Sequence, residues 1–297
     1  MTKLSKARLN DFLHWVEVRE AVRKKKEAGE APPWTRDRII AGYRFCNVRR
    51  KDDKVSRWII ERIIHRYESH PGLWAMLALA RYVNWTPSLE MLMEMGLWPE
   101  TTTPDWTRIG AALDHRVEEG HQTWTGAYMI RAESNPEADW YEWGKGRYVA
   151  EVVIGGLFKK RKILEPNLKF TVQRAHETIR EHGYGWGSFM AGQVVADLTY
   201  TSWLRNAPDL YTWAPLGPGS IRGLNRLHGR ELKASWSQED ANGVMVFLRE
   251  VIIQNLGPEF DDLTLHDVQN CLCEVDKYLR VKMGEGRPRS LYRAEAL

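Results

Sequence analysis

Four short segments of this chain carry residue types that chemistry uses. In Leu216-Gly217-Pro218-Gly219-Ser220-Ile221-Arg222-Gly223, two glycines flank a proline. That spacing allows a tight hairpin between two helices, with Gly223 letting them pack closely. The second helix then starts with free N–H groups, and these suit a phosphate at Gly217, Gly219, Ser220 and Arg222. The segment Tyr43-Arg44-Phe45-Cys46-Asn47-Val48-Arg49-Arg50 is a basic loop. Arg44 and Arg49 can bind phosphate through two parallel hydrogen bonds, and Asn47 can read a base edge or a sugar. Its apolar neighbours place part of the loop inside, where an arginine needs an anionic partner. Gln193 and Asp197 are four residues apart on one face of an apolar helix. A carboxylate there is costly unless it is paired with an arginine or used in chemistry. The fourth segment is Cys273-Glu274-Val275-Asp276-Lys277-Tyr278, beside a stripe of Leu265, Val268, Leu272, Val275 and Leu279. The spacing pairs Glu274 with Lys277 and Asp276 with Arg280, which read alone is a solvated helix face with ion pairs.

Other chemistries lack their residues in these 297 positions. No HExxH pair is present, and His115 and His121 straddle Gly120, so no metal site is expected. Neither a GxxxxGK[ST] phosphate loop nor a GxSxG elbow occurs. Cys46, Cys271 and Cys273 make neither a disulfide framework nor a CxxC motif. No cofactor is expected. The Gly217–Gly219 segment resembles the helix-hairpin-helix element of DNA glycosylases. Lysine-using glycosylases carry a nucleophilic lysine two residues after the second glycine, where this chain has Ile221. Asp240 lies roughly where those enzymes place an aspartate, and it also fits the start of a helix.

The elements that must position these residues read as helices almost throughout. Leu9, Phe12, Leu13 and Val16 mark a first helix that ends near Gly29, before Pro32-Pro33. Ser56 is expected to cap the next, and Pro71-Gly72 to start another. Thr103-Pro104-Asp105 reads as the start of a helix that stops at Gly120. The stretch from Gly126 to Gly146 is aromatic and irregular. Helices are expected from about Arg147, from about Asn167 to His182, and from Ser188 to Leu204. Ser237 with Asp240, and Thr264 with Asp267, suggest two further capped helices. The expected fold class is all-α, as a single helical domain or as two packed lobes of about 1–125 and 126–297.

Formal charge is +4, which permits a polyanionic partner without requiring one. Three basic clusters stand out: Arg23-Lys24-Lys25-Lys26, Arg49-Arg50-Lys51 and Lys159-Lys160-Arg161-Lys162. Each alone reads as a solvated helix end, and together they admit a phosphate-facing surface. Most of the 14 tryptophans belong in a core, and a few could stack on bases. The polar N-terminus and the lack of a long apolar run indicate a soluble protein of the reducing cytosol, with no membrane partner.

Taken in order, the four segments and the first helix from Asp11-Phe12 resemble a known family. It is the alpha-glutamyl/putrescinyl-thymine pyrophosphorylases, or amino acid:DNA transferases, the unit also described as the helical domain of 5-hydroxymethyl-deoxyuridine DNA kinases. The resemblance implies a DNA glycosylase-like helical fold with a helix-hairpin-helix element, acting on bacteriophage DNA in the cytoplasm of an infected bacterium. It implies double-stranded DNA carrying phosphorylated 5-hydroxymethyluracil as substrate, a separate 5-hydroxymethyluracil DNA kinase as functional partner, and a free amino acid or polyamine as donor. Under it, Asp197 or Glu274 would act as base or hold the donor's ammonium, and Lys277 would join Arg44 and Arg49 on the leaving phosphate. Asn47 and Gln193 would orient the base, and Asp276 would contribute to substrate binding. A base-excision glycosylase and a non-catalytic DNA-binding partner of a kinase are the rival readings.

Overall fold

The chain is all-helical in a computed structural model that describes residues 4–126, 128 and 142–287, and no β-strand occurs among them. The helices that position the candidate residues are α1 (Lys6–Glu27), α2 (Leu73–Val83), α3 (Trp106–Glu118), α4 (Arg161–Asn167), α5 (Val172–His182), α6 (Ser188–Leu198), α7 (Pro218–His228), α8 (Gln238–Leu256) and α9 (Leu265–Lys282). Most of the irregular stretch expected between Gly126 and Gly146 lies outside the described residues.

Local chemistry explains the boundaries. Ser237 Oγ accepts from the Asp240 N–H at 3.0 Å to start α8. Thr264 and Asp267 bond reciprocally at the start of α9. Asp105, rather than Thr103, caps α3 by accepting the Arg108 N–H at 3.0 Å. Ser56 is not a cap: it is buried inside the helical turn Lys54–Ile59, where its hydroxyl accepts from Arg81. The expected Asn167–His182 helix is split, because Thr171 caps a separate α5. The Ser188 helix ends at Leu198, and turns and extended chain lead from there to Gly217.

The chain divides into two compact units. One contains Met1–Asp53 with Tyr211–Leu297, and the other contains Lys54–Leu210. The division does not fall near residue 125, because the first unit is built from both ends of the chain. Read along the sequence, that pairing of distant segments is invisible.

In the first unit, α1, α7 and α8 pack on α9. Phe12, Trp15 and Val16 of α1 meet Leu224 and Leu227 of α7 in a core with Val268, Leu272, Val275 and Leu279 of α9. The stripe read from the sequence of α9 is thus buried in full. Gly223 is where α7 touches α9: a Cβ there would lie 2.3 Å from the Leu272 carbonyl oxygen. Close helix approach was expected at this glycine, but the partner is the C-terminal helix rather than the other arm of a hairpin. Gly223→Ala should therefore destabilise the protein by about 1–3 kcal/mol, read as a lower denaturant midpoint with unchanged slope. A midpoint equal to the parent's would show that the helices can separate without cost.

In the second unit, α2 is buried along its whole length, α6 packs on it, and α5 packs on α6. A helix that is apolar on all sides belongs in a core. Arg81 in α2 and Asp197 in α6 are the only charged residues of those two helices.

Candidate functional site

The loop at residues 43–53 lies against α9 in the first unit and is held there by side chains rather than by backbone pairing. Its Cys46 N–H donates to Glu274 Oε2 at 3.1 Å. The next N–H, of Asn47, donates to Asp53 Oδ1 at 2.7 Å. Consecutive amides therefore hold two carboxylates. The Asn47 amide nitrogen donates to the Asp52 carbonyl at 2.7 Å, and Arg19 Nε of α1 donates to the Cys46 carbonyl at 3.0 Å. Lys277 Nζ donates to both Glu274 oxygens, at 2.9 and 2.7 Å, and to the Arg44 carbonyl at 3.3 Å. The i,i+3 pair expected on α9 is present, but Glu274 is only 6% exposed, so this is no solvated helix face.

Burial sets the electrostatics. Desolvation pushes the Asp53 carboxyl up to about 6, against the Asn47 N–H and the Arg50 charge that lower it; nearby Glu274 raises it further. Burial and the Glu274 charge also push the Cys46 thiol well up. That thiol is held in its protonated form, which is a poor nucleophile. Two buried polar atoms beside this loop, Arg19 Nη1 of α1 and Asn47 Oδ1, have no hydrogen-bond partner among the described residues. One donor and one acceptor are thus unspent beside two carboxylates. Arg44 is exposed, and its guanidinium engages no partner among the described residues. The arrangement can hold an ammonium against carboxylates, accept a proton at Glu274, and place Arg44 against an anion.

The raised Asp53 fixes the sign of a pH effect. The folded protein binds the Asp53 proton more tightly than the unfolded chain, whose aspartates titrate near ~3.9. Stability is therefore lost as pH rises from about that value through 6, and is regained as pH falls. Asp53→Asn should flatten this part of the stability–pH curve measured by urea unfolding. An unchanged curve would mean that Asp53 is ionised without penalty.

Several residues singled out from sequence are engaged differently than expected. Arg49 is buried and already neutralised: its Nη1 donates to Glu20 at 3.0 Å and its Nε to Asp262 at 2.9 Å. Two carboxylates leave it little charge for a substrate phosphate. Asp276 does not pair with Arg280. Its oxygens accept from Arg222 Nε at 2.8 Å and Arg226 Nε at 2.7 Å, both on α7. Asp276 therefore clamps α7 to α9, and Arg222 is held at one end while its side chain stays 42% exposed. Ser220 is buried, its hydroxyl accepting from the Gly217 N–H at 3.1 Å and from Gln269 at 3.2 Å. It caps α7 rather than facing outward. Gly217 is the N-cap and Pro218 the first helical residue, while Gly219 lies inside the first turn against Cys273. The helix start expected of the Gly217–Gly219 segment is present. No helix runs into Gly217, so the two-helix hairpin is not formed by these residues.

In the second unit, Asp197 is fully buried. Its Oδ2 accepts from Arg81 Nε at 2.6 Å and its Oδ1 from Arg81 Nη2 at 2.5 Å. Arg81 Nη2 also reaches Ser56 Oγ at 2.8 Å. Both carboxylate oxygens are taken inside a core, so Asp197 is not placed as a base for a substrate. Coulombic attraction to Asp197 outweighs the burial of Arg81 and holds its guanidinium firmly protonated. Gln193, one turn away, accepts from the Tyr128 hydroxyl at 3.1 Å.

Sequence reasoning missed Arg19, Glu20, Asp53 and Arg81. A signal for three of them was present. Arg19 and Glu20 continue the Phe12, Trp15, Val16 stripe at i+7 and i+8, so their burial follows from the helical period. Arg81 is the lone charge of an apolar helix, as Asp197 is of another. Asp53 follows a second aspartate in an exposed-looking Lys51-Asp52-Asp53-Lys54 run, and nothing local marks it.

No cluster of metal-binding side chains occurs among the described residues, and no helix there is long and apolar enough to cross a membrane. The family described as "5-hmdU DNA kinase, helical domain" matches residues 6–287. The chain belongs to this family. A member named 5-hmdU DNA kinase, from Bacillus phage SP10, is 25% identical over 300 residues, which cover 90% of this chain and 44% of the phage protein. The chain thus spans less than half the length of that relative. No solved structure matches it. The helical-domain match includes the loop at 43–53 as well as α7 and α9, so the carboxylate site lies wholly within it.

Proposed function

We propose that this helical-domain protein attaches an amine to phosphorylated 5-hydroxymethyluracil in DNA. The observation that carries the reading is the match to a helical domain associated with 5-hydroxymethyluracil DNA kinases over nearly the whole chain. The 297 residues hold no GxxxxGK[ST] loop, so we assign phosphorylation to a partner kinase.

The substrate carbon is an exocyclic CH2 attached to the uracil ring and bearing a phosphate or pyrophosphate. Ring electrons help break the C–O bond, and the leaving group departs with the bonding pair. The amine nitrogen of glycine, glutamate or putrescine then forms the new C–N bond and gives up one proton. In this reading Lys277 swings from Glu274 to join Arg44 on the departing phosphate, which frees the Glu274 oxygens that its ammonium occupies. Glu274, with Asp53 beside it, holds the donor's ammonium and takes its proton. Asn47 offers its unspent carboxamide oxygen to the uracil edge. Everting the nucleotide would bring the base to such a loop. In the second unit, Gln193 with Tyr128 is a further candidate for base contact.

The test is mass spectrometry of nucleosides from kinase-treated DNA incubated with the protein and a mixture of glycine, glutamate and putrescine. An adduct of uracil with one amine is the expected result. Abasic sites would instead establish a glycosylase, and unaltered nucleosides with retained DNA would establish a binding module.

A further inference from the structure

Three basic clusters stand out in the sequence, and the structure treats them differently. In the first, Arg23 pairs with Glu20, Glu27 and Asp52, Lys24 lies 3.8 Å from Glu259, and Lys25 donates to the Trp34 carbonyl. In the second, Arg49 and Lys51 share Asp262, and Arg50 is buried with its charge acting on Asp53 and Asp267. Both clusters are largely consumed by the fold. The third is not. Lys159 and Lys162 are exposed, and neither ammonium group makes a hydrogen bond or ion pair among the described residues. Among the described residues the Lys160 ammonium meets only the His182 carbonyl, at 2.8 Å, and Arg161 lies over the Phe158 ring and donates to the Phe158 carbonyl. Residues 159–174 carry six cations and one carboxylate, Glu165. That carboxylate faces Trp74 Nε1 at 3.4 Å. Glu181 offsets only Arg174, at 3.6 Å, and Glu177 bonds Gln173.

The same stretch exposes apolar surface. Ile163 is 57% and Phe170 is 64% exposed, the latter next to Lys169, whose ammonium sits over Trp203. Unneutralised lysines close together cost stability through mutual repulsion. A polyanion relieves that repulsion, and apolar side chains among the cations suit the sugar edge of a groove more than a bare phosphate ion.

We infer that residues 159–170, on and around α4, form a docking surface for the phosphate backbone of duplex DNA. It belongs to the second unit, and the Glu274–Lys277 cluster belongs to the first. It reads no sequence and performs no chemistry. It stands independently of amine transfer, because backbone binding requires only charge and reach.

The test compares two triple variants of the whole chain on an unmodified 30-base-pair duplex as a function of salt. Lys159→Gln, Lys162→Gln and Lys169→Gln together should lower the slope of log K against log salt by about 2–3 and weaken binding about 10- to 100-fold near 0.1 M salt. Lys24→Gln, Lys26→Gln and Lys51→Gln remove the same charge from clusters consumed by the fold, and should change the slope by less than about 1. Both variants should stay folded by circular dichroism, because five of the six side chains are exposed and the sixth, Lys26, is half-buried over the Trp34 ring. Equal slopes in the parent and in the first variant would overturn the proposal. So would equal losses in both variants, which would reduce the effect to net charge. Preferential retention of the parent on phosphatidylserine vesicles over the duplex would reassign the surface to an anionic membrane. A loss of duplex binding in the first variant with amine incorporation absent even in the parent would sustain this surface while removing the proposed activity.

Discussion

Replacing Arg81 with alanine is expected to cost about 3–5 kcal/mol of folding stability, the largest loss we anticipate from any single change in this chain. The reason is the environment of its partner. Asp197 is completely buried and Arg81 nearly so, and no other charged side chain lies on α2 or α6. Removing the guanidinium leaves a carboxylate in an apolar core with no counter-charge, and leaves Ser56 without its donor. Asp197→Ala should be nearly as damaging for the converse reason. The double replacement Arg81→Met, Asp197→Leu should be far milder, because taking both charges away removes the desolvation cost together with the attraction. The double-mutant cycle, measured by urea unfolding, therefore distinguishes a buried pair from two independent contributions. Additive losses would show that the two charges do not depend on one another. In this arrangement any loss of activity in Asp197→Asn follows its loss of stability, and extra substrate should not rescue it.

The second large effect concerns chemistry. Glu274→Gln should lower amine incorporation into kinase-treated DNA by about 10²- to 10⁴-fold, the usual contribution of a positioned acid or base. The substitution retains an oxygen to accept the Cys46 N–H, so the loop at 43–53 keeps its anchor. It removes the negative charge that pairs with Lys277 and that would hold a donor ammonium. Arg44→Ala should act differently. This exposed guanidinium has no internal duty, so its loss should leave the melting temperature unchanged and lower kcat/KM for the phosphorylated DNA. Near-parental turnover in Glu274→Gln, with a folded protein, would exclude Glu274 as the base. A melting temperature that falls with Arg44→Ala would show that this arginine has a structural partner after all.

Much of the local structure was legible from residue order. Reciprocal capping at Thr264–Asp267 and at Ser237–Asp240 involves groups three residues apart, and such short loops close at little entropic cost wherever they occur. The buried stripe of α9 follows from helical period alone. The end of α1 near Gly29 follows from a glycine that adopts φ of 72°. Where the local reading failed, a long-range partner had changed the outcome. Ser56 had the chemistry of a cap, but Arg81 recruited its hydroxyl into a core. Asp276 had Arg280 one turn away, yet two arginines of α7 offered one bond to each of its oxygens, the one from Arg226 buried. A solvated i,i+4 pair is worth only about 0.3–0.5 kcal/mol, so a desolvated clamp readily displaces it.

The features singled out at the outset divide along the same line. The sequence by itself determined that the protein is helical, that α6 is an apolar helix carrying a single carboxylate, and that the Gly217 segment starts a helix. It also determined that Glu274 and Lys277 would be neighbours. Only the tertiary structure decided which charges were spent and which were left. It brought Cys46 to Glu274 across 228 residues, gave Arg49 to Glu20 and Asp262, and closed Asp197 onto Arg81. It left Arg44, Lys159 and Lys162 facing outward. The physical reason is that burial of a charge demands an opposite partner but does not name one. Desolvation acts on each residue where it stands, whereas the partner is whichever group the fold carries to it.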